Sequence, residues 1–198
     1  MLRRAALNLV SGLIGLAVTA IPVMAVTIDF DDIVVGGVFR TVPADQYLSE
    51  GILFDQPIEI VDVEMWSPPY VGEFVAGGGT LPNAWVILAS LQFEATFVIP
   101  GTSIPTTIDS IVLHVFDTNV GTTFGTLEAF DLHGTLLATI TETNTGGATT
   151  YEVSESGIAR IRITDDGDGA FWDNIVFEPN GSTPVESKTW GDVKAIYR

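Results

Sequence analysis

Two groups of acidic residues carry the clearest chemistry in this sequence. Asp29, Asp31 and Asp32 stand together, and Asp165, Asp166, Asp168 and Asp173 form a second group far along the chain. Side chains alternate along a strand. Alternation puts Asp32 on the face of Ile28 and Phe30, and Asp173 on the face of Phe171, Ile175 and Phe177. Both carboxylates are therefore expected to point toward a core. A carboxylate taken out of water needs a cation or several hydrogen-bond donors. Arginine is scarce here, so a metal ion is a natural counter-charge. Carboxylates with carbonyl oxygens suit Ca²⁺, which takes about 6–8 oxygen ligands. Asn174 can add an amide oxygen, and Gly167 and Gly169 free nearby carbonyls to turn inward. The alternative is that these acids build turns by bonding their own backbone, or that Asp32 or Asp173 pairs with Arg40. The string "DDGDG" lacks the ligand spacing and terminal Glu of an EF-hand.

Aromatic residues offer a second chemistry. Trp66 and Tyr70, set among Ser67, Pro68 and Pro69, are candidates for a platform on which sugar rings stack. Trp172 alternates away from Phe171 and is expected to be exposed as a third ligand-binding residue. Trp85, followed directly by Val86–Leu88, reads as core.

Catalysis has little support. His114 sits inside "IVLHVF" and reads as a strand residue, His133 occupies a turn before Gly134, and Ser90 in "LASLQ" is not on a nucleophile elbow. No two-His metal motif is present. Paired carboxylates could serve glycoside hydrolysis, but a body with this many acids offers such pairs by chance. The reading is a protein that binds and does not catalyse.

Composition narrows the partners. The 198 residues hold 8 Lys+Arg, 25 Asp+Glu and no Cys, for a net charge of −17. Disulfides and thiolate metal sites are excluded. Nucleic acid is excluded as a partner, because its phosphates need a basic surface. Residues 26–180 contain no Lys and set three arginines (Arg40, Arg160, Arg162) against 23 acids, a net of −20. Such a body attracts cations and repels anionic polymers. Much of this charge also serves solubility.

The first 25 residues read as a secretory signal peptide. Arg3 and Arg4 precede an apolar run over Ala5–Ile21, Pro22 ends it, and Val23-Met24-Ala25 offers a cleavage point after Ala25. The alternative is an uncleaved anchor helix, which needs about 20 apolar residues. Cleavage would leave an exported protein, periplasmic, at the cell surface or extracellular, with no transmembrane segment.

The body, 26–178, is dominated by strand signals. Candidate strands are Thr27–Phe30, Gly37–Val42, Ile52–Phe54, Ile58–Val63, Trp85–Leu88 and Gln92–Ile99, then Ser110–Phe116, Gly125–Phe130, Leu136–Thr141, Thr149–Val153, Ile158–Ile163 and Phe171–Phe177. A short helical turn is expected near Ala44–Leu48. Short strands at about 8–12-residue spacing without helices between them predict an all-β fold, an antiparallel two-sheet β-sandwich of jelly-roll type. Glu64–Ala84 reads as a long irregular loop, a feature that is usually functional or disordered. Residues 179–185 form a linker. In the tail 186–198, Trp190, Val193 and Tyr197 share one face of a possible short helix.

The motifs "TIDFDDI", "DQYLSEGILF", "LPNAW", "LEAFDLHGTLLAT" and "FWDNIVF" occur in this order from about Val26 to Phe177. The body thereby resembles secreted bacterial β-sandwich domains found in PEP-CTERM sorted proteins, of galactose-binding-like and carbohydrate-binding-module-like jelly-roll type. The resemblance implies first and last strands lying near each other, with Ca²⁺ between their ends held by Asp31 or Asp32 with Asp173 and Asn174. It implies a polysaccharide or cell-surface glycan as partner. The chain departs from the sorting pattern after Glu178-Pro179, where no second apolar span follows. A second expectation is therefore a cell-surface or extracellular-matrix structural protein whose tail serves sorting or docking.

Overall fold

The computed structural model describes residues 24–66, 71–76, 79–86, 92–117, 123–143, 147–165 and 170–180. Residues 1–23 of the expected leader, residues 181–198 with the whole expected tail, and Tyr70, Ser90, Asp166, Gly167, Asp168 and Gly169 lie outside the described residues.

The β-branched runs form strands as expected. The first six are β1 (Val26–Ile28), β2 (Phe39–Val42), β3 (Ile52–Phe54), β4 (Ile58–Asp62), β5 (Asn83–Val86) and β6 (Gln92–Phe97). They are followed by β7 (Ile108–Asp117), β8 (Thr123–Phe130), β9 (Leu136–Thr143), β10 (Gly147–Val153), β11 (Arg160–Thr164) and β12 (Phe171–Pro179). One sheet has the order β10-β7-β12-β5-β4-β2, with β1 also paired to β12; the other has the order β3-β6-β11-β8-β9. All these pairings are antiparallel. Successive strands repeatedly cross between the sheets, and the result is a jelly-roll β-sandwich. The chain stays with the sandwich to Asn180, whose N–H donates to the Thr107 carbonyl at 3.0 Å. The helical turn is a 3₁₀ turn at Leu48–Glu50, at the end of the expected stretch.

Alternating apolar residues of both sheets fill the interior. Ile28, Phe30, Ile60, Trp85, Phe97, Leu113, Ile161, Trp172, Ile175 and Phe177 belong to one core cluster. A smaller cluster of Val61, Val63, Phe74, Ala84, Phe116 and Phe171 lies on the other face of the seven-stranded sheet. Its cover comes from the segment read as irregular: α1 (Val63–Trp66) and α2 (Val71–Ala76) form within it. Burying Phe74 there contributes about 1.5–3 kcal/mol.

This second cluster corrects the reading of Trp172. Trp172 is 0% exposed and packs with Tyr151, ring centroids 5.7 Å apart, so it is not a ligand platform. Alternation did place it opposite Phe171. However, α2 covers the Phe171 side of β12, so neither face of that strand meets water at Phe171 and Trp172.

Candidate functional site

Strand β12 has β7 along one side and two partners along the other. Phe171 and Trp172 pair with Val86 and Trp85 of β5, whereas Ile175–Phe177 pair with β1. Asp173 and Asn174 fall where the two partners give way to each other. The register on β7 shifts between Asp173 and Val176, and Asn174 has a φ of 48°. This bulge resets the alternation. Asp173 stays on the Phe171 side, while Ile175 and Phe177 join Trp172 in the main core. The expectation that Asp173 shares a face with Ile175 and Phe177 is thus corrected.

A second backbone reversal corrects Asp32. Strand β1 ends at Ile28, and Phe30 has a φ of 60°, so the alternation does not run on to Asp32. Asp32 is exposed and its Oδ1 accepts the Tyr47 O–H at 2.8 Å. It is Asp31 that turns to the junction. Its Oδ1 accepts the Asn83 N–H at 3.1 Å, and its own N–H donates to Asp29 Oδ1 at 3.2 Å, a local turn bond of the kind Asp favours. Asn83 Nδ2 donates to the carbonyls of Phe30 and Ile33 at 3.1 and 2.8 Å, fixing the 29–33 turn from β5.

Thr80 joins the two acids. Its N–H donates to Asp173 Oδ2 at 2.6 Å and its hydroxyl donates to the same oxygen at 3.1 Å, while the hydroxyl also acts to lower the Asp31 pKa. Asp173 is 0% exposed, and its Oδ1 has no hydrogen-bond partner among the described residues. Burial pushes the Asp173 carboxyl up to about 7; the Thr80 and Asn174 bonds oppose this, and the charge of Asp31 adds to it. Asp31 is also raised, chiefly by burial. Arg40 takes no part: its Nη1 donates to the Val34 carbonyl at 2.6 Å. Among the described residues no group of three or more His, Asp or Glu side chains is disposed to hold a metal ion. The junction therefore offers two carboxylates, with the Asn174 amide, the Thr80 hydroxyl and turn carbonyls as further oxygens.

Gly79 sets the position of Thr80. A Cβ on Gly79 would stand 2.4 Å from the Phe74 ring, so a side chain would force α2 and the Thr80 segment apart. Asp165, of the second acidic group, is buried and its Oδ2 accepts the Ala170 N–H at 3.1 Å.

The outer face of the five-stranded sheet carries a second polar constellation. Arg160 and Arg162 are two apart on β11 and share that face. Glu94 bridges them, bonded to Arg160 Nη1 and accepting from Arg162 Nε at 2.8 Å, and Arg162 Nη1 reaches Glu128 at 3.4 Å. Both guanidinium groups lie over the Phe130 ring, 4.5 and 4.9 Å from its centroid. Thr164 continues the face along β11, and Thr126 and Thr141 continue it on β8 and β9, their hydroxyls 2.8 Å apart. Burial pushes Glu94 up, but the bonds and charges of the two arginines more than offset this and hold it below its ordinary value.

Of the aromatic candidates, Trp66 closes α1 and Tyr70 lies outside the described residues. Trp85 is buried core as expected. His114 is a half-buried strand residue whose Nδ1 lies 3.0 Å from the Thr150 hydroxyl. Sequence reasoning missed Thr80, Asn83 and the Glu94–Arg160–Arg162 network. The signal for the last was present: two of the three body arginines stand two apart on one predicted strand.

No protein-family model matches the chain, and no curated protein matches it. Solved structures with partial likeness include two carbohydrate-binding modules. TmCBM61, solved with beta-1,4-galactotriose, is 15% identical over 71% of this chain and 88% of its own, with a TM-score of 0.37. The low-affinity xylan-binding module CBM86 from Roseburia intestinalis is 17% identical over 72% and 96%, with a TM-score of 0.35. The catalytic domain of Agl-KA is 14% identical over 72% of this chain and 28% of its own, with a TM-score of 0.37. At these TM-scores, function has to be read from this chain's own residues.

Proposed function

We propose that this chain is an exported, non-enzymatic β-sandwich module that binds carbohydrate and carries a structural calcium ion. The observation that supports the binding reading is the outer face of the five-stranded sheet. Its planar guanidinium groups, carboxylates and hydroxyls are held in fixed positions by one another and by Phe130, so little side-chain entropy is lost when a ligand arrives. Sugar hydroxyls both donate and accept, and this face offers both partners.

The calcium reading is supported by the buried Asp173 Oδ1, which meets no partner among the described residues and lies beside Asp31. A cation there would satisfy that oxygen and remove the repulsion between the two carboxylates. The donor set is oxygen throughout, as a hard divalent ion requires. Asp31 and Asp173 would hold the ion, with Asn174, Thr80 and turn carbonyls as further oxygens; Asp32, bonded to Tyr47, would stay outside it. By tying the end of β1 and the start of β5 to β12, the ion would brace the sandwich and not enter any reaction. Export rests on the leader 1–25, and the described residues include no helix long and apolar enough to cross a membrane.

A glycan array probed with purified residues 26–198, in calcium and in chelator, tests the function. Binding to one family of neutral glycans, weakened by chelator, is the expected result. Blank arrays in both states would overturn the carbohydrate reading.

A further inference from the structure

The polar face ends in a concave pocket that the strand pattern did not single out. The pocket is an open cavity of about 310 Å³ lined by Thr96, Pro105, Asp131, Leu132, His133 and Arg160, among others. It lies where the turn between β8 and β9 meets the exposed side of β6 and β11. Its walls are built. Asp131 Oδ1 accepts the N–H groups of His133 and Thr135, each at 2.8 Å, which fixes the turn and lowers the Asp131 pKa. Arg160 is held flat by Phe130 beneath it and by Glu94 on Nη1, while its other donors meet no partner among the described residues. Leu132 is 58% exposed, and Ile104 and Leu136 add exposed aliphatic surface near the same end.

We propose that this pocket seats the saccharide, taking one or two neutral sugar rings, in place of the loop aromatics Trp66 and Tyr70. This rests on the carbohydrate-binding reading and gives it a location. The chemistry selects the ligand class. Arg160 donates and Asp131 accepts within one cavity, with the His133 ring and Thr96 hydroxyl able to do either. Leu132 and Pro105 supply an apolar wall for the C–H face of a ring. An anionic ligand is disfavoured because Glu94 already matches Arg160, Asp131 adds a negative charge, and the body carries −20. A cationic ligand is disfavoured by the fixed guanidinium. The volume stands at the small end of the range for ligand pockets, about 300–1,000 Å³, which suits a short stretch of sugar.

Calorimetric titration of purified residues 26–198 with cello-, xylo-, manno- and galacto-oligosaccharides, and with trigalacturonic acid as the anionic control, tests the proposal. For the neutral oligosaccharide that binds best, Leu132→Ser, His133→Ala and Asp131→Asn should each raise Kd, with about a tenfold loss for the lost hydrogen-bond partners. Leu132→Ser and His133→Ala should leave the melting temperature unchanged, because both side chains are exposed. Trp66→Ala should leave Kd unchanged. Binding that survives the turn variants but is lost in Trp66→Ala would overturn the pocket and leave the module reading intact. Tighter binding of trigalacturonic acid would overturn the neutral ligand class. A wild-type chain that binds none of these oligosaccharides would overturn both readings.

Discussion

Asp173 is a carboxyl group that the fold has buried with half of its acceptors unmet. Thr80 and Asn174 satisfy part of it, yet Oδ1 has no partner among the described residues and burial pushes the pKa up to about 7. The sign of the linkage follows. The unfolded chain loses this proton near 3.8, whereas the folded, metal-free chain keeps it to about 7. Between those values the folded state binds more protons, so its stability falls as pH rises. Asp31, raised for the same reason, acts in the same direction. In chelator, the melting temperature should therefore decline from pH 4 to pH 7 more steeply in the wild type than in Asp173→Asn, which keeps an oxygen for Thr80 and has nothing to titrate. Equal slopes in the two proteins would show that Asp173 is not the strained group. Asp173 was legible in the sequence as a residue in need of a partner, whereas alternation named Asp32 as the second acid. Which of Asp31 and Asp32 turns inward was not legible, because the reversal at Phe30 depends on a φ of 60° that an aromatic residue rarely adopts.

Element placement was largely readable, since β-branched runs between Gly, Pro and Asn turns became strands with ends shifted by a few residues. Strand faces were less readable. Alternation assumes an unbroken pleat, and β12 carries a bulge at Asp173–Val176. Asn174 was a usable signal, because Asn enters the left-handed region more readily than most residues. Trp172 was misread for another reason. A half-exposed sheet was assumed, but α2 and Phe74 cover its outer face, and short helices inside a Pro- and Gly-rich stretch leave little periodic trace. That cover now has a consequence at Gly79, which lies against the Phe74 ring. Gly79→Ala should destabilise the fold by about 1–3 kcal/mol through overpacking. It should also loosen the Thr80 bonds to Asp173, read as a shifted or broadened Thr80 amide resonance. A variant as stable as the wild type with an unmoved Thr80 resonance would contradict this packing.

At the scale of the whole molecule, sandwich and charge act together. A body with a net charge of −20 concentrates cations around itself. The topology then brings two of its acids, 142 positions apart in the chain, to one seam where β1 and β5 meet β12. The fold class followed from strand spacing alone. The seam did not, because it depends on which strands neighbour β12 and on contacts from Thr80 and Asn83 that no local pattern announces. The polar face of the other sheet is separate from this seam, so an ion at the seam would affect ligand binding through the rigidity of the sandwich.

Calcium titrated into chelator-stripped protein, followed by the melting temperature, tests the cation-braced seam most directly. An ion that binds only the folded state raises stability by mass action, by about 2.7 kcal/mol at a hundredfold excess over Kd. The account predicts a saturable rise in the wild type, absent in Asp173→Asn and retained in Asp32→Asn. A wild-type melting temperature indifferent to calcium, or a rise that persists in Asp173→Asn, would contradict it.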